Sequence, residues 1–79
     1  GHGAGMHMGG MEGDLAALAA AADFDREFVR QMIPHHEMAV MMARMLAAGT
    51  SRSEMKQLAA NIIASQSSEI VLMRGWLNN

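Results

Sequence analysis

Seven soft or borderline donors crowd one short stretch of this chain: Met32, His35, His36, Met38, Met41, Met42 and Met45. Four more, Met6, His7, Met8 and Met11, stand among glycines near its start. Thioether and imidazole together suit Cu(I), which accepts few ligands and prefers soft ones; Ag(I) is its mimic. Cysteine is absent, which excludes disulfides, zinc–thiolate sites and thiol catalysis together. Methionine, present ten times, keeps a soft donor in an oxidising compartment without cross-linking, although it is open to sulfoxide formation. It also fills gaps in cores, so composition alone leaves ligation and packing even.

Spacing says more. His35, Met38 and Met42 stand at i, i+3 and i+7 and form one stripe on a helix. Met38, Met41 and Met45 form a second stripe beside it, turned toward solvent and away from the phenylalanines. A core has no need of that second stripe. It is either a soft-metal surface or an adaptable partner interface. Neighbouring residues differ by about 100° on a helix, so His35 and His36 cannot share a face. His36 leans toward the partner helix beside Met32, and His35 toward the methionines. A lone histidine on an apolar face is more often a hydrogen-bonded core residue than a ligand. A turn centred near Thr50 sets the histidine pair level with Gln66, and Met32 level with Glu69. Both polar groups lie on an otherwise apolar face and need partners. A histidine contact to Glu69 or Gln66 is therefore expected. It would orient a ligating ring, or serve as structure alone.

These donors need helices to hold them. Residues 1–13 are nearly half glycine and predict a flexible tail; residues 14–79 form one domain. The tail's Met6, His7, Met8 and Met11 can wrap one ion, but ordering such a segment costs about 1–2 kcal/mol per residue. Asp14 is the expected cap of a short helix over Leu15–Ala22. Asp23 caps a second helix running to Ala48, with Gly49 beyond its end and a bend at Pro34. Its inner face reads Phe24, Phe28, Met32, His35, Ala39, Met42, Ala43 and Leu46. Ser51 and Glu54 have the spacing of a capping box for a third helix reaching about Leu77. That helix turns Met55, Leu58, Ala59, Ile62, Ile70, Met73, Trp76 and Leu77 inward. The prediction is all-α: an antiparallel two-helix hairpin with a kinked first helix. Each helix is about 39 Å long by the standard rise. Both apolar faces are broad, so two copies should pair as a homodimer into a four-helix bundle.

Several function classes fall away. A net charge of −2 with six Lys plus Arg is no footprint for nucleic acid. No apolar run reaches the ~18 residues of a membrane span, and the alanine run Leu15–Ala22 is too short for one and lacks the basic flank of a signal peptide. There is no nucleophile–base pair and no phosphate loop, so an enzyme is not expected. Iron or manganese in a bundle would want Glu-x-x-His pairs; here His36 and Glu37 are adjacent, and Glu37 falls on the polar strip.

The run Met32-Ile33-Pro34-His35-His36, followed by Ala39, Met42 and Ala43, resembles domain-of-unknown-function family 305. Leu58-Ala59, Ile62-Ile63-Ala64, Gln66, Glu69-Ile70, Met73 and Trp76-Leu77 agree with it, so the resemblance spans about Phe24 to Leu77. It implies a ferritin-like helical bundle and, by analogy with copper-binding members, a periplasmic or secreted protein. Such a protein would hold Cu(I) or Ag(I) for sequestration, tolerance or transfer to a copper donor or acceptor protein. It places His35, His36 and the nearby methionines in the family's first signature, and Gln66 and Glu69 in its second. Many relatives carry glycine two residues after the histidine pair; this chain has Met38 and is richer in sulfur. Longer members hold two copies of the hairpin and this chain one. The alternative reading is a partner-binding helical module with a methionine-rich contact surface and no physiological metal.

Overall fold

Aspartates start the first two helices. Asp14 and Asp23 hold extended backbone and accept hydrogen bonds from the amides three residues on, Ala17 at 2.9 Å and Arg26 at 3.1 Å. Each carboxylate satisfies an orphan N–H and meets the positive end of the helix dipole. The computed structural model describes residues 13–78. They are all-helical: α1 (Leu15–Ala20), α2 (Phe24–Gly49) and α3 (Ser53–Leu77). α1 ends two residues before the expected Ala22, because Ala21 is already extended on the way to the Asp23 cap.

Two predicted helix ends are corrected. Gly49 is the last residue of α2 and lies inside it; Thr50 leaves the helix in extended backbone while its N–H donates to the Leu46 carbonyl at 2.9 Å. The chain exits without a left-handed residue, so glycine's special freedom is not used there. The Ser51–Glu54 capping box does not form. Arg52 is the cap residue and supplies no side-chain bond, while its amide donates to Thr50 Oγ1 at 3.1 Å. α3 accordingly begins at Ser53. Pro34 sits inside α2, where it deprives the Arg30 carbonyl of a backbone donor.

α2 and α3 lie side by side in opposite directions. Lys56 at the start of α3 donates to the Ala47 carbonyl near the end of α2, and Arg26 at the start of α2 reaches the Leu77 carbonyl at the end of α3. Between these ends the contact is made by small and branched residues. Ala59 has no exposed surface, and Ala43, Val40 and Ile33 are buried. Small residues such as alanine let packed helices approach closely, the ridges of one settling into the grooves of the other.

This contact corrects the inner face read for α2. Phe24, Phe28, His35 and Met42 are exposed, and the residues against α3 are Ile33, His36, Val40 and Ala43. On α3, Leu58 and Trp76 are likewise exposed, whereas Ala59 is buried and Met55, Ile62, Ile70, Met73 and Leu77 are half-buried. Each helix has more apolar circumference than one neighbour can cover. The narrower arc with the smaller side chains makes the closer contact.

Among the described helices α1 packs against α2 alone, and Gln31 fastens it. Gln31 Oε1 accepts from the Asp14 amide at 2.6 Å, and Gln31 Nε2 donates to the Asp14 carbonyl at 2.9 Å. Gly13 precedes this clamp at φ +73°, and a Cβ there would stand 2.8 Å from Gln31 Oε1. The left-handed backbone favours glycine, and a Cβ would push the Gln31 amide out of the clamp.

Replacing Asp23 by Ala should lower stability by about 1 kcal/mol in urea unfolding; an unchanged midpoint would show that the cap carries no weight. Gly13→Ala and Gln31→Ala should each speed hydrogen exchange at the Leu18 amide, which bonds to the Asp14 carbonyl, and leave the Val40 amide protected. Equal acceleration at both amides would mean that α1 is not held separately.

Candidate metal site

α2 sends its donors in different directions. His36 turns to α3 and is 8% exposed, the one buried polar residue among those described. Its Nδ1 lies 2.9 Å from the Met32 carbonyl oxygen. A carbonyl can only accept, so Nδ1 carries the hydrogen and donates. Its Nε2 lies 2.6 Å from Glu69 Oε1, and Glu69 is half exposed on α3. The expected histidine–carboxylate contact is therefore made, and Glu69, not Gln66, supplies it. Gln66 is half-buried and bonds to neither histidine.

His35 points elsewhere. The two rings have centroids 6.3 Å apart and planes tilted by 60°. His35 is exposed and opens, with half-buried Met32, onto a cavity of about 200 Å³ between α1 and α2. Gly13, Leu15, Leu18, Phe28 and Gln31 complete its walls. From His35 the stripe continues through half-buried Met38 to Met42, 55% exposed. Met41 and Met45 lie further out, 58% and 70% exposed.

The structure thus brings Met32 and His35 to one cavity, and sets Met38, Met42, Met41 and Met45 along an open surface beside it. His36 stands apart. Met6, His7, Met8 and Met11 lie outside the described residues, although the leader that bears them enters at Gly13, on the cavity wall. Residues three and four apart on a helix have Cβ atoms about 5–6 Å apart. A flexible thioether on either side of an imidazole can close on one ion of low coordination number. Among the described residues no three His, Cys, Asp or Glu side chains converge as a metal cluster, so sulfur is the plentiful donor here.

Sequence reasoning missed Gln31 and Gly13. The signal was present: Gln31 is a polar residue on the apolar arc between Phe28 and His35, and such a group needs a partner. It also missed the ion pair from Arg74 across to Glu37, and an open apolar groove of about 520 Å³ where Phe24, Phe28 and Val29 face Leu72, Met73 and Trp76.

Comparison with known proteins places this geometry in context. Solved structures of CopM in Cu(II)-bound, Cu(I)-bound and apo forms share 61% sequence identity with this chain and cover 84% of it. Their TM-scores are 0.81, 0.80 and 0.81, and the match takes in 50%, 47% and 49% of their own chains. CopM has also been crystallised in Ag-bound forms. The uncharacterized protein L153 of Acanthamoeba polyphaga mimivirus is 41% identical over 54 residues, 68% of this chain and 36% of that protein. The chain spans about half the length of the CopM chains. None of the described helices is long and apolar enough to cross a membrane. Residues 1–77 match the family described as Domain of unknown function (DUF305), and the chain belongs to that family.

Proposed function

We propose that this chain binds copper as Cu(I), with Ag(I) as its mimic, and holds it outside the cytoplasm for sequestration, tolerance or transfer. The observation that carries this reading is the row of exposed thioethers adjoining His35. Burying a methionine removes an apolar side chain from water, yet Met41, Met42 and Met45 are left outside. The similarity to CopM, crystallised with Cu(I), Cu(II) and Ag, supports the choice of ion. Ligands are drawn from Met32, His35, Met38, Met41, Met42 and Met45, joined by Met6, His7, Met8 and Met11 of the leader. Exchange proceeds by substitution: a thioether holds the ion softly, and an incoming donor from a copper donor or acceptor protein displaces it. The part of these side chains is binding alone, with no catalysis.

A second reading has its own observation. Exposed methionines also make an adaptable contact surface, so the same row would serve a partner-binding helical module without metal. Converting Met38, Met41 and Met45 together to Leu separates the two. The metal reading expects Ag(I) affinity, measured against a competing chromophoric chelator, to fall by about tenfold or more, as the loss of lesser partners at metal sites does. Unchanged affinity in the triple variant, or no competition by the parent chain at micromolar concentration, would end it.

The fold reading goes one step further as well. The helical hairpin pairs with a second copy into a four-helix bundle. Phe24, Phe28, Leu72 and Trp76 are exposed around one groove, a contiguous apolar patch of the kind that marks an interface. Light scattering should give twice the chain mass, falling to one chain in a Leu72→Glu/Trp76→Glu variant. A single-chain mass for the parent at all concentrations would overturn the dimer and leave metal binding standing.

A further inference from the structure

The two adjacent histidines are placed for different work. His36 is surrounded by acceptors: the Met32 carbonyl 2.9 Å from Nδ1 and Glu69 Oε1 2.6 Å from Nε2. The carbonyl accepts the Nδ1 hydrogen, and the Glu69 carboxylate stands against Nε2 at hydrogen-bond distance. Both nitrogens are therefore occupied. A metal ion needs a nitrogen lone pair, and at His36 it would have to break one of these bonds inside a contact that leaves the residue 8% exposed. Removing one partner from a buried hydrogen-bonded pair is unfavourable, because the other is left unsatisfied. His35 makes no hydrogen bond among the described residues, is exposed, and shares a cavity with Met32.

We infer that His36 is a positioning residue and not a ligand. With Glu69 it locks the rotation of α2 against α3, and that rotation turns His35, about 100° round the helix, out toward Met32 and Met38. His35 is then the imidazole that takes the soft ion. This inference rests on the copper reading above and sharpens it: of the paired histidines, one fastens the helices and one binds.

The lock has a consequence that a merely structural histidine would not show. Removing the Glu69 carboxylate leaves the Nε2 lone pair free and creates a second imidazole donor, while Glu69→Gln can donate its amide N–H to Nε2, keep that lone pair occupied and restore the parent behaviour.

The test is a long-range ¹H–¹⁵N spectrum of the imidazoles in the full chain during Ag(I) titration, with the methionine methyl resonances followed in parallel. In the parent protein, His35 nitrogen should shift with the methyls while both His36 nitrogens stay in place. In Glu69→Ala, His36 Nε2 should begin to respond, and in Glu69→Gln it should again be silent. His35→Ala should weaken Ag(I) by about tenfold or more without altering the His36 pattern. A His36 shift in the parent at the same ratio as His35 overturns the inference and keeps the copper reading. Methyl shifts with both histidines silent also overturn it, since His35 would then not ligate. Silence of all donors refutes the copper reading itself.

Discussion

Two helices laid side by side touch along one line, and every other property of this molecule follows from that limit. α2 and α3 can each offer only a narrow arc to the other, and the alanines at positions 43 and 59 occupy its centre, nearly or wholly hidden from solvent. Small side chains there bring the axes close and leave little room for larger ones. The phenylalanines, the tryptophan and most of the sulfur on α2 must therefore stand outside the contact. Exposure of these residues is the geometry of the pair rather than a failure of packing.

The same narrow arc makes its one polar member consequential. His36 is carried into the contact by its position between Ile33 and Val40 on the buried stripe. A buried imidazole must be hydrogen-bonded, and it finds a backbone acceptor one turn back and a carboxylate across the interface. The pair sets the register between the helices as a specific contact can and apolar packing alone does not. Further polar links, Arg74 to Glu37 and the two end contacts to backbone carbonyls, lie in water, where such pairs contribute little.

What lies outside the contact is organised too. The leader arrives at Gly13, where Gln31 grips the neighbouring Asp14 by both of its backbone polar groups. The cavity beneath α1 is lined by His35 and Met32 of α2 and by Gly13. Chain entry, imidazole and thioether are concentrated at one end of the open face, and the aromatic groove lies at the same half of the pair.

The order of residues alone determined the helices, because caps and periodicity act within a few residues: Asp14 and Asp23 start elements wherever the chain goes, and three-to-four spacing marks the stripes. It also determined that His35 and His36 diverge, since adjacent residues on any helix do. It could not say which apolar arc of α2 would meet α3. Two arcs qualify by hydropathy, and the choice depends on how closely the backbones approach at Ala43 and Ala59. Nor could it place Glu69 in preference to Gln66 against His36, because both lie on α3 within reach of the same stretch of α2, and which side chain meets the imidazole depends on how the two helices fit together. Gln31 shows the same limit: its need for a partner was written in its position, but the partner, seventeen residues away, was chosen only when α1 folded back on α2.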